Sequence, residues 1–206
     1  MSINGVLHFA PIAFGYPGTN IYVNPALINK YTNTTNVGDT FNVTLNYGNM
    51  TNLAGIQYTL YWNNTVLNVT NVHDKLPWSG SPFVATNTTT EDYNASFGQM
   101  SFNAIPTPLV GANGNATFRT ITFKILTAPP TGFGNLVNSS IAFGPYGTET
   151  IFGNTNAEAI SATVYNGEFS LMNTPTISEF QPFMLLPLLM IVTLLAVAIC
   201  TKKRDS

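Results

Sequence analysis

The chain has 206 residues, of which only 8% are charged, with seven basic and nine acidic side chains and a formal net charge of −2. That set cannot build a basic surface for a polyanion, which excludes nucleic-acid binding. Its one cysteine, Cys200, rules out an internal disulfide, so any folded body must be held by packing.

Met1 to Gly18 reads poorly as a signal peptide, because Val6 to Phe14 is broken by His8 and Pro11 and no Lys or Arg precedes it. Residues 1–20 are expected to be a signal-peptide remnant or spacer whose upstream start is missing; the alternative is that the C-terminal segment directs its own insertion. From Ile21 the text becomes short alternating runs divided by Gly, Pro and Asn. Phe41, Val43, Leu45 and Tyr47 share one face, with Asn42, Thr44 and Asn46 on the other. The pattern repeats in Ile56, Tyr58, Leu60 and Trp62, in Leu67 with Val69, in Ile121, Phe123 and Ile125, and in Phe169 with Leu171. No stretch before Pro182 keeps helical spacing, so residues 21–171 are expected to form an antiparallel β-sandwich.

Nine Asn-x-Ser/Thr sequons occur, at Asn33, Asn42, Asn49, Asn63, Asn68, Asn87, Asn94, Asn115 and Asn138, where chance pairing of 25 Asn with 39 Ser and Thr would give about five. Several are expected to carry glycans, which favours an archaeal or eukaryotic-type surface; the alternative is an Asn/Thr-rich chain without sugar. Asn42 and Asn68 fall on the outward parity of their strands, as acceptors must.

Residues fit for catalysis are few. His8 and His73 stand alone, and the adjacent Glu91 and Asp92 would point to opposite faces of a strand. Asp74, Glu91 and Asp92 form no Asp-x-Asp ladder with glycine, so calcium binding is a minor alternative and no metal or cofactor is expected. Trp78, between Pro77 and Ser79, is expected on a loop, either as an exposed contact for sugar or protein or folded back as a lid over the sandwich end. Tyr61, outward by parity from Tyr58 and Trp62, is the second surface candidate.

Residues 172–182 read as a linker. Phe183 to Cys200 then gives eighteen residues without a charge, a helix of about 27 Å against a hydrocarbon core of about 30 Å. Lys202, Lys203 and Arg204 in the tail, 201–206, face a single charge, Glu179, on the approach from Asn173 to Gln181. The asymmetry predicts a single-pass protein of the cell membrane with the C-terminus cytoplasmic and the body extracellular. A buried helix of a soluble domain is the rival, but an all-round apolar helix needs lipid or a much larger protein around it. Thr174 to Phe180, the apolar run and the basic tail also resemble the three-part sorting signals of archaeal and bacterial surface proteins; a plain stop-transfer anchor has the same parts.

Ala54 to Val69, AGIQYTLYWNNTVLNV, resembles the cohesin pattern, in which a Gly-x-Gln-aromatic strand leads through an Asn/Asp turn into a Val-Leu-x-Val strand. IYVNP at Ile21 to Pro25, FRTITFKI at Phe118 to Ile125 and YNGEFSL at Tyr165 to Leu171 follow in the family's order. The resemblance implies an all-β fold, a jelly-roll sandwich of about nine strands, here followed by one C-terminal transmembrane helix. One position departs: Arg119 falls in phase with Ile121, Phe123 and Ile125, where the family has a small apolar residue. An unpaired buried guanidinium is costly, so the strand is expected either to bulge there or to place Arg119 at the open end with its head in water.

The resemblance further implies a non-catalytic module that docks a dockerin-like protein partner through a sheet face. Two rivals stand beside it: a self-associating surface-layer or adhesin component, and a carbohydrate-binding domain using Trp78.

Overall fold

The computed structural model describes residues 16–79, 82–145, 147–174 and 190. Its eleven strands are β1 Asn20–Asn24, β2 Leu27–Tyr31, β3 Thr40–Asn63, β4 Leu67–Asp74, β5 Phe83–Thr90, β6 Phe97–Ile105, β7 Ala112–Ile125, β8 Leu136–Phe143, β9 Ile151–Asn154, β10 Thr163–Tyr165 and β11 Gly167–Met172. The count exceeds the expected nine partly through β9 and β10, four and three residues long.

β3 organises the molecule, because its two halves belong to opposite layers. The first half pairs with β1 and β7; β10 extends that layer beyond β1, and β4 extends it beyond β7. The second half pairs with β6 on one side and with β8 and β9 on the other; β5 flanks β6, while β11 and β2 follow β8. The strand turns from one layer to the other at Asn49 and Asn52, with φ of 53° and 57°. Asparagine tolerates the left-handed region better than other side chains. The backbone N–H groups freed by the bend donate to asparagine side chains of β7, Asn49 N–H to Asn115 Oδ1 at 2.6 Å and Asn52 N–H to Asn113 Oδ1 at 2.8 Å. Two runs that read as separate strands are thus one bent strand.

The alternation read from the sequence sets the core. Phe41, Val43, Leu45 and Tyr47 from the first half of β3 meet Ile56, Tyr58, Leu60 and Trp62 from the second, with Leu67, Ile121, Phe123, Ile125, Phe169 and Leu171, all buried. Met100, Phe102 and Ala104 of β6 complete the layer. Gly98, on the same inward parity, lies under the Trp62 indole and leaves no room for a Cβ.

Arg119 meets one of the two sequence expectations, the bulge, and contradicts the other, a head in water. The register slips between the pairs Leu45/Arg119 and Asn46/Thr117, so a bulge does occur, with Phe118 as the extra residue. A bulge can set two consecutive side chains on one face, and Phe118 and Arg119 are both buried, Arg119 with 1% exposure. Its head is not in water; it is paired inside.

The expected span, Phe183–Cys200, lies outside the described residues apart from Met190, which is helical and exposed. Among the described residues no helix is long and apolar enough to cross a membrane. Residues 1–15 of the expected leader and the basic tail with Lys202, Lys203 and Arg204 likewise lie outside.

Candidate functional site

Strand parity sets out one sheet face. Because Ile56, Tyr58, Leu60 and Trp62 point inward, Gln57, Thr59, Tyr61 and Asn63 point out, in register with Asn103, Ser101, Gln99 and Phe97 of β6. β5 adds Phe83, Thr86, Thr88 and Thr90 opposite Ile105, Asn103, Ser101 and Gln99. These outward positions hold hydroxyls, amides and a few large apolar groups, and no charged side chain. Phe83 and Ile105 stand exposed at one end and Phe97 at the other.

Tyr61 sits within this face, half-buried. Its hydroxyl donates to Glu149 Oε2 at 2.8 Å and accepts from Gln99 Nε2 at 2.9 Å, and its ring lies 5.9 Å from that of Tyr93. Burial raises the Tyr61 pKa, donation to Glu149 raises it further and the Gln99 amide opposes both; the group stays a neutral phenol. Beside it Asn103 donates to Gln57 at 3.2 Å. A pre-ordered aromatic set among amides and hydroxyls, its own hydroxyl held by Glu149 and Gln99, suits a protein interface, where tyrosine is enriched.

Beneath the face lies the buried cation. Arg119 Nε donates to Asp74 Oδ1, Nη1 to the Tyr58 hydroxyl at 2.7 Å and to Met100 Sδ at 3.2 Å, and Nη2 to Asn87 Oδ1 at 2.9 Å. The guanidinium carbon stands 4.1 Å from the Phe102 ring centroid. These partners join β4 and β7 of one layer to β3, β5 and β6 of the other, so the network fastens the two layers together. Burial pushes the Tyr58 hydroxyl far above its ordinary value, an effect that Arg119 partly offsets.

The other sequence candidates divide. Trp78 is corrected as a surface contact: it is 7% exposed, packs with the core and donates its indole N–H to Leu53 O at 2.7 Å. Pro77 and Trp78 fold back, so the lid reading holds and the sugar-stacking reading loses its residue. The acidic candidates each take a different partner. Asp74 serves Arg119, Glu91 Oε2 accepts the Val69 N–H at 3.4 Å, and Asp92 Oδ1 accepts from Asn64 at 3.3 Å. Burial raises the Glu91 pKa, with the Val69 N–H opposing. Among the described residues no group of three or more His, Cys, Asp or Glu could hold a metal.

The sequons also separate. Asn42 is exposed and Asn68 half-buried on the outer face of the layer of β4, β7 and the first half of β3, while Asn33, Asn49 and Asn94 are exposed at turns or the bend of β3 and Asn115 is exposed near the start of β7. Asn63 and Asn138 line a groove of about 580 Å³ with Leu27, Phe97, Asn166 and Glu168. Asn87 is exposed but paired with Phe102, on the inward parity of β5; its Nδ2 faces Asp74 Oδ2 at 3.5 Å while Oδ1 holds Arg119. Parity within β5 carries that signal, but β5 lacks the apolar alternation that would have revealed it.

A family model described as the cohesin domain matches residues 28–169. No curated protein matches the chain. Among solved structures, CaCohA2 of Clostridium acetobutylicum, solved as a complex, is similar with a TM-score of 0.56 at 17% identity, covering 75% of this chain and all of that one. A non-cellulosomal cohesin from the hyperthermophilic archaeon Archaeoglobus fulgidus gives 0.51 at 13% identity, covering 78% and 94%. The OlpC cohesin of Clostridium thermocellum, in a type I cohesin–dockerin complex, gives 0.53 at 19% identity, covering 76% and 96%.

Proposed function

This chain belongs to the cohesin family, and we propose that it is a membrane-anchored, non-catalytic docking module that captures a dockerin-type protein outside the cell through the outer face of β5, β6 and the second half of β3. The observation that carries this reading is the face itself: outward strand positions without a charged side chain, Tyr61 held in place by Glu149 and Gln99, and exposed Phe83, Ile105 and Phe97 at the borders. The dockerin complex of the OlpC cohesin supports the partner class. The apolar run Phe183–Cys200 followed by Lys202, Lys203 and Arg204 supports the anchor. Pull-down of secreted proteins by the full chain in detergent micelles tests the reading. Retention of a dockerin-type module is expected, and retention of no protein would contradict it.

The sequon pattern supports glycosylation that leaves the docking face open, since among the outward positions of β5, β6 and this half of β3 only Asn63, at the edge, is a sequon. Glycopeptide mapping of the native protein is expected to find sugar at Asn42 and Asn115. Asn87 is expected to be empty, because its amide is turned toward Asp74 and Arg119 and a glycan there would displace their pairing. Full occupancy at Asn87 would contradict this assignment.

A further inference from the structure

The chain leaves the sandwich at a defined end. Asn173 N–H donates to Asn135 O at 2.8 Å, Gly134 N–H to Asn173 O at 3.2 Å and Thr174 N–H to Thr32 Oγ1 at 3.2 Å. The loops that meet there are 32–39, 64–66 and 126–135, tied by Gly38 N–H to Ile125 O at 2.9 Å and Leu126 N–H to Val66 O at 2.8 Å. Large apolar side chains stand open on this end: Phe133, 74% exposed, with Tyr31, Val37, Leu126 and Leu136. Tyr31 and Leu136 flank Met172 on a single register rung of β2, β11 and β8. Apart from Asp39, whose carboxylate accepts the Asn36 N–H at 2.8 Å, these loops contain no charged residue.

Water is a poor neighbour for such a surface, and the chain length outside it says what lies close. Eight residues, 175–182, separate Thr174 from Phe183, the first of the uncharged run, and the nine steps from one to the other reach no more than about 32 Å fully extended. The opposite end, where Leu109 is exposed, stands farther off by the length of the strands, about 26 Å for eight residues.

We propose that this end is a lipid-facing surface, with Phe133 at its centre and Tyr31, Val37, Leu126 and Leu136 around it, seated in the interface of the bilayer that holds the chain's own C-terminal segment. The proposal rests on the anchored reading above. Aromatic and aliphatic side chains on uncharged loops partition into that boundary. Seating this end stands the strands upright and turns the face of β5, β6 and β3 sideways, open to a partner along the cell surface. Asn33 shares a loop with Val37, so a glycan there lies at the rim of the contact.

The test uses the full chain reconstituted in vesicles of phosphatidylcholine with plain or brominated acyl chains. Trp62 and Trp78 are buried and give the background emission. Phe133→Trp adds an emitter at the exposed tip, and Leu109→Trp adds one at the far end. Brominated lipid is expected to quench most of the emission added by Phe133→Trp and little of that added by Leu109→Trp. Vesicle flotation of the unaltered chain runs alongside. A chain that floats while both variants stay equally unquenched overturns the lipid-facing surface and leaves the anchor standing; a chain that does not float overturns both. Protection of the Phe133→Trp emitter that rises with copies per vesicle, without quenching by brominated lipid, would assign the surface to a second copy and overturn the proposal.

Discussion

Asp74→Ala is expected to cost about 3 kcal/mol of stability, more than removing the charge it pairs with. Arg119 is 1% exposed and its one anionic partner among the described residues is Asp74, whose side chain is 31% exposed. The remaining acceptors, the Tyr58 hydroxyl, Asn87 Oδ1 and Met100 Sδ, are neutral. Breaking a buried pair from one side leaves an uncompensated charge and typically costs 3–5 kcal/mol, whereas an apolar replacement of the whole pair is often neutral or better. The lower end applies here because water reaches Asp74 and can enter where its carboxylate stood. Arg119→Met lets Asp74 turn to solvent and leaves the Tyr58 hydroxyl only its long contact to Met100 Sδ at 3.8 Å, a loss of about 1–2 kcal/mol, the lower part of the range for a poorly satisfied buried group.

The double variant Asp74→Ala/Arg119→Met should therefore be more stable than Asp74→Ala alone. Trp62 and Trp78, both buried, report unfolding by fluorescence in the full chain. For a domain of this size the single change at Asp74 corresponds to a fall in Tm of about 6–12 °C. A double variant no more stable than Asp74→Ala would show that the network is not balanced around the arginine charge.

The second large effect concerns docking. Ser101→Arg, at the centre of the face between Thr59 and Thr88, is expected to weaken partner binding by about a hundredfold or more, the scale of losing a central contact and adding a desolvated charge. Thr120→Arg, paired with Thr44 on the outer face of the opposite sheet, is expected to leave binding unchanged. Calorimetric titration with the captured partner measures both, and equal losses would remove the face from the account.

Much of this architecture was legible because alternation is a direct consequence of a pleated backbone with one side in a core. Phe41 to Tyr47 and Ile56 to Trp62 needed no partner to be read. The join between them was not legible, since asparagines ordinarily signal a chain break, whereas here Asn49 and Asn52 bend a strand and Asn113 and Asn115 satisfy the bend. β6 was less legible because Gly98, which has no room for a Cβ under Trp62, interrupts the inward apolar series of Met100, Phe102 and Ala104. Arg119 was visible as an anomaly, but its resolution lay 45 residues away in Asp74, 61 in Tyr58 and 32 in Asn87. Such a network is written in the folded contacts and not in local spacing. Trp78 shows the same limit: a Pro-Trp-Ser-Gly loop looks exposed until Leu53 O, 25 residues away, is found under the indole N–H.

The central claim is that this protein works by being bound on one sheet face, and hydrogen–deuterium exchange of the full chain with and without its captured partner tests it most directly. Protection is expected over Gly55–Asn63, Phe83–Thr90 and Phe97–Ile105, with Leu67–Asp74 and Thr117–Lys124 unchanged. Protection confined to Leu67–Asp74 and Thr117–Lys124, with the first three segments untouched, would contradict it.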